Sequence, residues 1–204
     1  LNGTVRIPNS VTMIGRGAFE GTERLTGVIL SNKLEKIGEA AFSDSGISGT
    51  LVIPEGVSKI EDYTFRYCKN LTGVKLPKTL VSIGESAFNG CSGLHGNLRL
   101  PDKLTTIGRS AFYECSGLTG LTPGSELYSI GAGAFERCSD IQGKIVFGEK
   151  ITTIGGGAFS DCESVSAFCF LGDAPTGEIG GNGSGQSFPE DAIICYIEGK
   201  TGWK

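Results

Sequence analysis

Several kinds of chemistry are thinly provided for in this 204-residue sequence. It has one histidine, one tryptophan and one methionine. With His95 as the single imidazole, a Cys–His or Ser–His pair has one candidate base, which would have to stand beside a rigidly held nucleophile. No two cysteines stand at CxxC spacing, so the usual ligand pattern of a structural zinc site is missing. No apolar run approaches the 18 residues of a membrane-spanning helix. Positive charge is not in excess: the net charge is −4, which offers no basic patch for a phosphate backbone, and nucleic acid is not an expected partner. The run "GGNGSGQS" lacks the Gly-Lys-Ser/Thr ending of a phosphate loop and reads as a plain loop.

Glycine is abundant instead, with 33 residues or about twice the usual share, and without the triplet period of collagen. Its spacing belongs to a longer repeat. Isoleucines fall at Ile14, Ile37, Ile60, Ile83, Ile107, Ile130 and Ile154, separated by 23 or 24 residues. Five positions after each comes a phenylalanine: Phe19, Phe42, Phe65, Phe88, Phe112, Phe135 and Phe159. Three positions before each comes Val11, Leu34, Val57, Leu80, Leu104, Leu127 or Ile151. Eight positions after, the column reads Thr22, Ser45, Cys68, Cys91, Cys115, Cys138 and Cys162. An aliphatic follows, then a short apolar–polar–apolar run such as "VKLP", whose period of two predicts a strand with two residues facing inward. The glycine-bearing segment "SIGESAFNGC" predicts a compact turn or a short 3₁₀ piece, because glycine weakens helix and the segment is short.

A finer pattern divides the coils into pairs. The spacer before the strand is longer by one residue in "LNGTV", "ISGTL", "LHGNL" and "IQGKI" than in "LTGV", "LTGL" and "VSAF". The repeating block is therefore two coils, and the additional residue in alternate coils predicts a β-bulge.

One coil of about 23 residues cannot close a core, but stacked coils bury continuous apolar columns. The expected fold is a leucine-rich-repeat solenoid, with a parallel β-sheet on one face, turns or short 3₁₀ pieces on the other, and little α-helix. Residues 1–171 form the solenoid as a partial first coil plus seven repeats. Residues 172–204 form a degenerate closing repeat of the same domain. There Ile179, Gly180 and Phe188 keep the repeat landmarks, and Trp203 is expected to cover the last core layer. Leu1 falls in the Leu25 column, so the chain opens inside a repeat. Either the natural protein extends further toward its N-terminus or the chain is trimmed, and the register favours the second, so a missing leader carries little weight.

The unit L-x-x-V-x-I-P-x-x-V-x-x-I-G-x-x-A-F-x-x-C resembles the BspA-like class of bacterial leucine-rich repeats. "LPKTLVSIGESAFNGCSGL" and "LPDKLTTIGRSAFYECSGL" are similar to its consensus, and "FLGDAPTGEIG" through "TGW" resembles the closing unit of such proteins. The resemblance implies a secreted or cell-surface protein, one of a class whose members adhere to host matrix proteins, host cells or other bacteria. It carries no catalytic residues and no cofactor to this chain.

The cysteine slot decides how much chemistry remains. Zinc needs ligands converging at about 2.3 Å, whereas a ladder sets thiols about 5 Å apart and pointing the same way. Disulfides along the ladder would need Cβ vectors that face each other. Thr22 and Ser45 fill the same slot and can do neither. Cys68, Cys91, Cys115, Cys138 and Cys162 are therefore expected to be buried structural thiols, each with a hydrogen bond to the adjacent turn. Cys169 and Cys195 lie off the ladder, and the sequence leaves a bond between them open. His95 occupies a column filled elsewhere by Asn2, Thr26, Ser48, Thr72, Thr119 and Gln142, an exposed polar position. Glu61 and Asp62 sit in a turn without a second acidic pair to mark a cleft. The sequons at Asn2, Asn70 and Asn182 read as coincidence in a bacterial protein.

What remains is binding. The outward strand column Arg6, Ile29, Val52, Lys75, Arg99, Thr122 and Val146 mixes charged, polar and apolar types, unlike the inward columns. Either these are plain exposed strand residues, or they form a mildly basic stripe for a protein partner. The leading expectation is a non-enzymatic, surface-exposed domain that mediates protein–protein interaction or adhesion to host or microbial partners, a host matrix or cell-surface protein among them, without membrane insertion. The alternative is a structural spacer that displays another domain.

Overall fold

The computed structural model describes residues 1–176, 187–189 and 191–203. Each coil supplies one strand of three to six residues, beginning with Gly3–Arg6, Leu25–Ile29 and Gly49–Val52 and ending with Val165–Phe170 and Ile194–Tyr196. A second, two-residue strand closes on the isoleucine column, as in Lys36–Ile37, Ser82–Ile83 and Ser129–Ile130. All pairing is parallel between stacked coils, and no helix occurs among the described residues. The solenoid expectation holds.

The long strands do not form one unbroken sheet. They pair as Gly3–Arg6 with Leu25–Ile29, Gly49–Val52 with Leu71–Lys75, and Gly96–Arg99 with Leu118–Thr122. The final group is Gly143–Phe147, Val165–Phe170 and Ile194–Tyr196. Each break falls just before a coil that carries the additional residue, at Gly49–Val52, Gly96–Arg99 and Gly143–Phe147. Gly3, Gly49, Gly96 and Gly143 adopt φ of 80°, 74°, 82° and 78°, and the register shifts beside each. A bulge is present, but on the partner strand: Thr26, Thr72, Thr119 and Ser166, in the coils without the additional residue, are passed over in the pairing, opposite glycines that enter the left-handed region without a Cβ penalty. Longer continuity belongs to the isoleucine ladder, which runs through five strands from Lys59–Ile60 to Thr153–Ile154.

The turn segments are not 3₁₀ pieces. Three and seven residues after each isoleucine the chain is left-handed, with φ between 50° and 70° in all seven coils. A 3₁₀ run needs successive right-handed residues, so these two positions exclude it. Nine of the fourteen are not glycine: Ala40, Asp44, Tyr63, Tyr67, Ser86, Ser110, Glu114, Arg137 and Asp161. Hydrogen bonding offsets this strain. In the fourth coil, the N–H groups of Ser86, Phe88 and Gly90 donate to Arg109, Ala111 and Tyr113 of the next coil at 2.7–2.8 Å. The intervening N–H groups of Asn89 and Cys91 donate within the turn, to Ser86 and Phe88.

Inside, the phenylalanines stack face to face from Phe19 to Phe159, with ring centroids 4.9–5.6 Å apart and interplanar angles of 18° or less. Phe188 extends this column, 5.8 Å from Phe159 and tilted by 5°, while Ile179 and Gly180 lie outside the described residues. Trp203 packs on Phe170 at 5.0 Å and Tyr196 at 4.9 Å, and its Nε1–H donates to Gly172 O. Close stacking explains the glycine after most isoleucines. A Cβ at Gly108, Gly131 or Gly155 would stand 2.4–2.6 Å from a backbone nitrogen of the preceding coil.

Candidate interaction face

All seven outward residues, Arg6, Ile29, Val52, Lys75, Arg99, Thr122 and Val146, are exposed. Strand register aligns Arg6 with Ile29, Val52 with Lys75, and Arg99 with Thr122. Ile29, Val52 and Val146 are each about half exposed, at 43%, 56% and 42%. Arg6, Lys75 and Arg99 form no ion pair with any described residue. Arg6 stands three coils from Lys75, about 14 Å at the sheet spacing of about 4.8 Å, while Lys75 and Arg99 are adjacent. The result is an apolar pair, Ile29 and Val52, with cations on both sides.

Two residues earlier in each strand, the pairing of coils reaches the surface. Gly27, Gly73 and Gly120 leave room for the side chains of Thr4, Thr50 and Asn97, whose oxygens stand 2.8–3.0 Å from where a Cβ would lie. Asn97 also donates from Nδ2 to Thr122 Oγ1 at 3.0 Å. This second column is thereby kept low beside the stripe.

The stripe ends in a covalent bond. Val146 registers with Cys169, and Cys169 with Cys195, so the next two members of the outward column are the two cysteines. They form a disulfide with Cα atoms 4.4 Å apart, which closes the pairing left open by the sequence. The signal was their register relative to the repeat, which the degenerate last coil obscures.

The ladder cysteines are buried and hydrogen-bonded. Cys68, Cys91, Cys115, Cys138 and Cys162 are free thiols with no exposed surface. Each Sγ–H donates to the phenylalanine carbonyl of the coil before it: Phe42, Phe65, Phe88, Phe112 and Phe135, at 3.0–3.1 Å. Thr22 makes the corresponding bond to Phe19 O within its own coil, at 2.6 Å. Burial pushes the Cys68 thiol up to about 11 and the Cys162 thiol up to about 12, and holds Cys91, Cys115 and Cys138 well above the ordinary thiol value. A thiolate nucleophile is thereby disfavoured. His95 is exposed, and its Nδ1 lies 3.0 Å from Gly93 O. Glu61 pairs with Lys36 and Lys59, and Asp62 accepts the Glu85 N–H at 2.8 Å, so both carboxylates serve the turn stack. Among the described residues no three His, Cys, Asp or Glu side chains gather as a metal site.

A second cluster, on the turn side, was not legible in the repeat. The Arg66 guanidinium lies 4.5 Å from the Tyr67 ring centroid and 5.8 Å from that of Tyr63, and donates to Tyr67 Oη at 3.2 Å. Arg137 joins Glu114 at 2.9 Å to Asp161 at 3.5 Å. These residues occupy columns whose chemistry varies from coil to coil, so no periodic signal marks them.

Comparison with known proteins agrees with this geometry. The family model for the BspA type leucine rich repeat region matches in six copies, over residues 3–96 and 48–166. A leucine-rich repeat protein of T. pallidum is 21% identical, with a TM-score of 0.60 over 95% of this chain and 72% of that one. A leucine rich cell surface protein of Faecalibacterium prausnitzii A2-165 is 22% identical, with a TM-score of 0.48 over 99% of this chain and 80% of that one. A leucine-rich repeat protein of Bacteroides ovatus is 24% identical, with a TM-score of 0.46 over 94% and 68% of the two chains. No curated protein matches at a significant level. Repeat columns, stacked phenylalanines and the family match converge, and the chain belongs to the BspA-type leucine-rich repeat family.

Proposed function

We propose that this domain is a non-enzymatic, cell-surface interaction module that holds a protein partner, such as a host matrix or cell-surface protein, against its strand face. The observation that carries the reading is the exposed stripe in which Ile29 and Val52 lie between Arg6, Lys75 and Arg99, cations without an ion pair among the described residues. Apolar side chains supply burial, and cations steer an acidic rim of the partner into register. Family membership supports a repeat scaffold that presents a surface, since the repeat is not an enzyme family. The Cys169–Cys195 disulfide supports an oxidising compartment such as the exterior of a cell.

The triple variant Arg6→Ala, Lys75→Ala, Arg99→Ala tests it on a panel of immobilised matrix proteins. Binding is expected to weaken about tenfold, near 1.4 kcal/mol, and more steeply at low salt than at high. Unchanged binding would remove the strand face from the proposal. No binding by the unaltered chain would favour the spacer reading.

A further inference from the structure

The turn side carries a groove of about 620 Å³ lined by Tyr67, Lys69, Gly90, Ser92, Glu114, Ser116, Arg137, Ser139 and Asp161. It crosses five successive coils, a span of about 19 Å at the coil spacing of about 4.8 Å. We propose that this groove binds a neutral, extended β-linked glycan, at a site separate from the strand face.

Its walls are fixed. The Tyr67 ring crosses the bare backbone of Gly90, where a Cβ would meet ring atoms at 2.2 and 2.6 Å. Arg66 holds the ring from within the same coil, at 4.5 Å from the centroid and by its bond to Tyr67 Oη. Further along, Arg137 ties the Glu114 and Asp161 carboxylates of neighbouring coils into one array. Each carboxylate has a second oxygen beyond the one that meets Arg137, suited to accept from a sugar hydroxyl. Between these ends run the hydroxyls of Ser92, Ser116 and Ser139, one per coil.

The same lining disfavours a peptide. An added strand needs free backbone N–H groups. Here the N–H groups of Tyr67, Lys69, Gly90, Glu114 and Arg137 already donate to backbone carbonyls, so no unbroken row of free donors runs along the groove. An anchored peptide needs apolar pockets, and the lining offers serine, glycine and charged groups around one aromatic ring. The formal charge is balanced, with Lys69 and Arg137 against Glu114 and Asp161, so a strongly charged chain gains little. A sugar chain needs what is present: side-chain donors and acceptors repeated at a pitch similar to its own, and an aromatic wall.

Native gels containing hydroxyethylcellulose, xylan or galactomannan test the proposal. The unaltered chain should be retarded in at least one, relative to a gel without polysaccharide. Tyr67→Gly should raise the dissociation constant at least tenfold. Because Tyr67 is left-handed at φ 57°, glycine suits its backbone, and a fold check by circular dichroism separates lost binding from lost structure. Ser116→Trp, which fills the middle of the groove, should have the same effect. The strand-face triple alanine variant should remain retarded, which keeps this outcome distinct from the fate of the strand-face proposal. No retardation in any of the three gels, or equal retardation of a folded Tyr67→Gly chain, would overturn the glycan assignment. So would a peptide ligand whose binding these groove substitutions abolish.

Discussion

Raising the pH should destabilise this protein through its cysteine ladder. Burial, the largest influence on every ladder thiol, raises each above the ordinary value of 9.0. The native state therefore holds protons that the unfolded chain releases first. The associated stability is complete below pH 9 and is lost as pH climbs toward the folded values, about 11 for Cys68 and about 12 for Cys162. At pH 10, one unit above the unfolded value, each thiol contributes about 1.4 kcal/mol of loss, so five contribute about 7 kcal/mol. Domains hold about 5–15 kcal/mol in total, so this is a large share.

Urea unfolding followed by circular dichroism at pH 7.5, 9 and 10, without reductant, measures the loss. The control is Cys91→Ser, Cys115→Ser, Cys138→Ser, which copies the small hydroxyl residues Ser45 and Thr22 that occupy the slot in this same chain. Two ladder thiols remain there, and the loss at pH 10 should shrink to about 3 kcal/mol. A thiol reagent should find the five ladder cysteines only after unfolding. A flat stability between pH 8.5 and 10, an unchanged slope in the serine variant, or rapid labelling of the native chain would refute the reasoning.

The phenylalanine column predicts a gradient of sensitivity along the solenoid. Phe112 is fully buried between Phe88 and Phe135, so Phe112→Ala should lower unfolding stability by about 4 kcal/mol. Phe19 is half-buried with one stacked partner, so Phe19→Ala should lower it by about 2 kcal/mol, and equal losses in urea titrations would contradict the stacking account. Backbone strain predicts opposite signs at two small residues. Ala40→Gly, at φ 52°, should raise stability by about 0.5–1 kcal/mol. Gly131→Ala, whose Cβ would stand 2.5 Å from Arg109 N, should lower it by about 2 kcal/mol or more, as thermal melts of both variants would show.

Much of the architecture was legible in one dimension. Stacking places equivalent residues in one environment seven times over, so each position's demand shows as a column. That is why the Phe19-to-Phe159 stack, the thiol slot shared with Thr22 and Ser45, and the outward residues from Arg6 to Val146 can be read from the sequence alone. The spacing difference between "LNGTV" and "LTGV" likewise marked a register shift beside Gly3, but not that the unpaired residue, Thr26, lies on the shorter-spaced strand.

Properties that depend on neighbouring coils left no such mark. Tyr63, Glu114 and Arg137 are poor indicators of left-handed backbone, and their N–H groups reach their acceptors only once the following coil is in place. Two-residue strands such as Ser82–Ile83 are too short for a period of two to register, yet they form the longest continuous ladder. The Cys169–Cys195 bond joins two positions whose alignment exists only once the last coil is laid on the solenoid. The groove is the extreme case, since its column runs through an aromatic ring, a glycine, two carboxylates and a guanidinium, at Tyr67, Gly90, Glu114, Asp161 and Arg137. Repetition conserves what faces inward because burial is the same in every coil. Outward positions are free to differ, and their combined surface comes into being only when the coils stack.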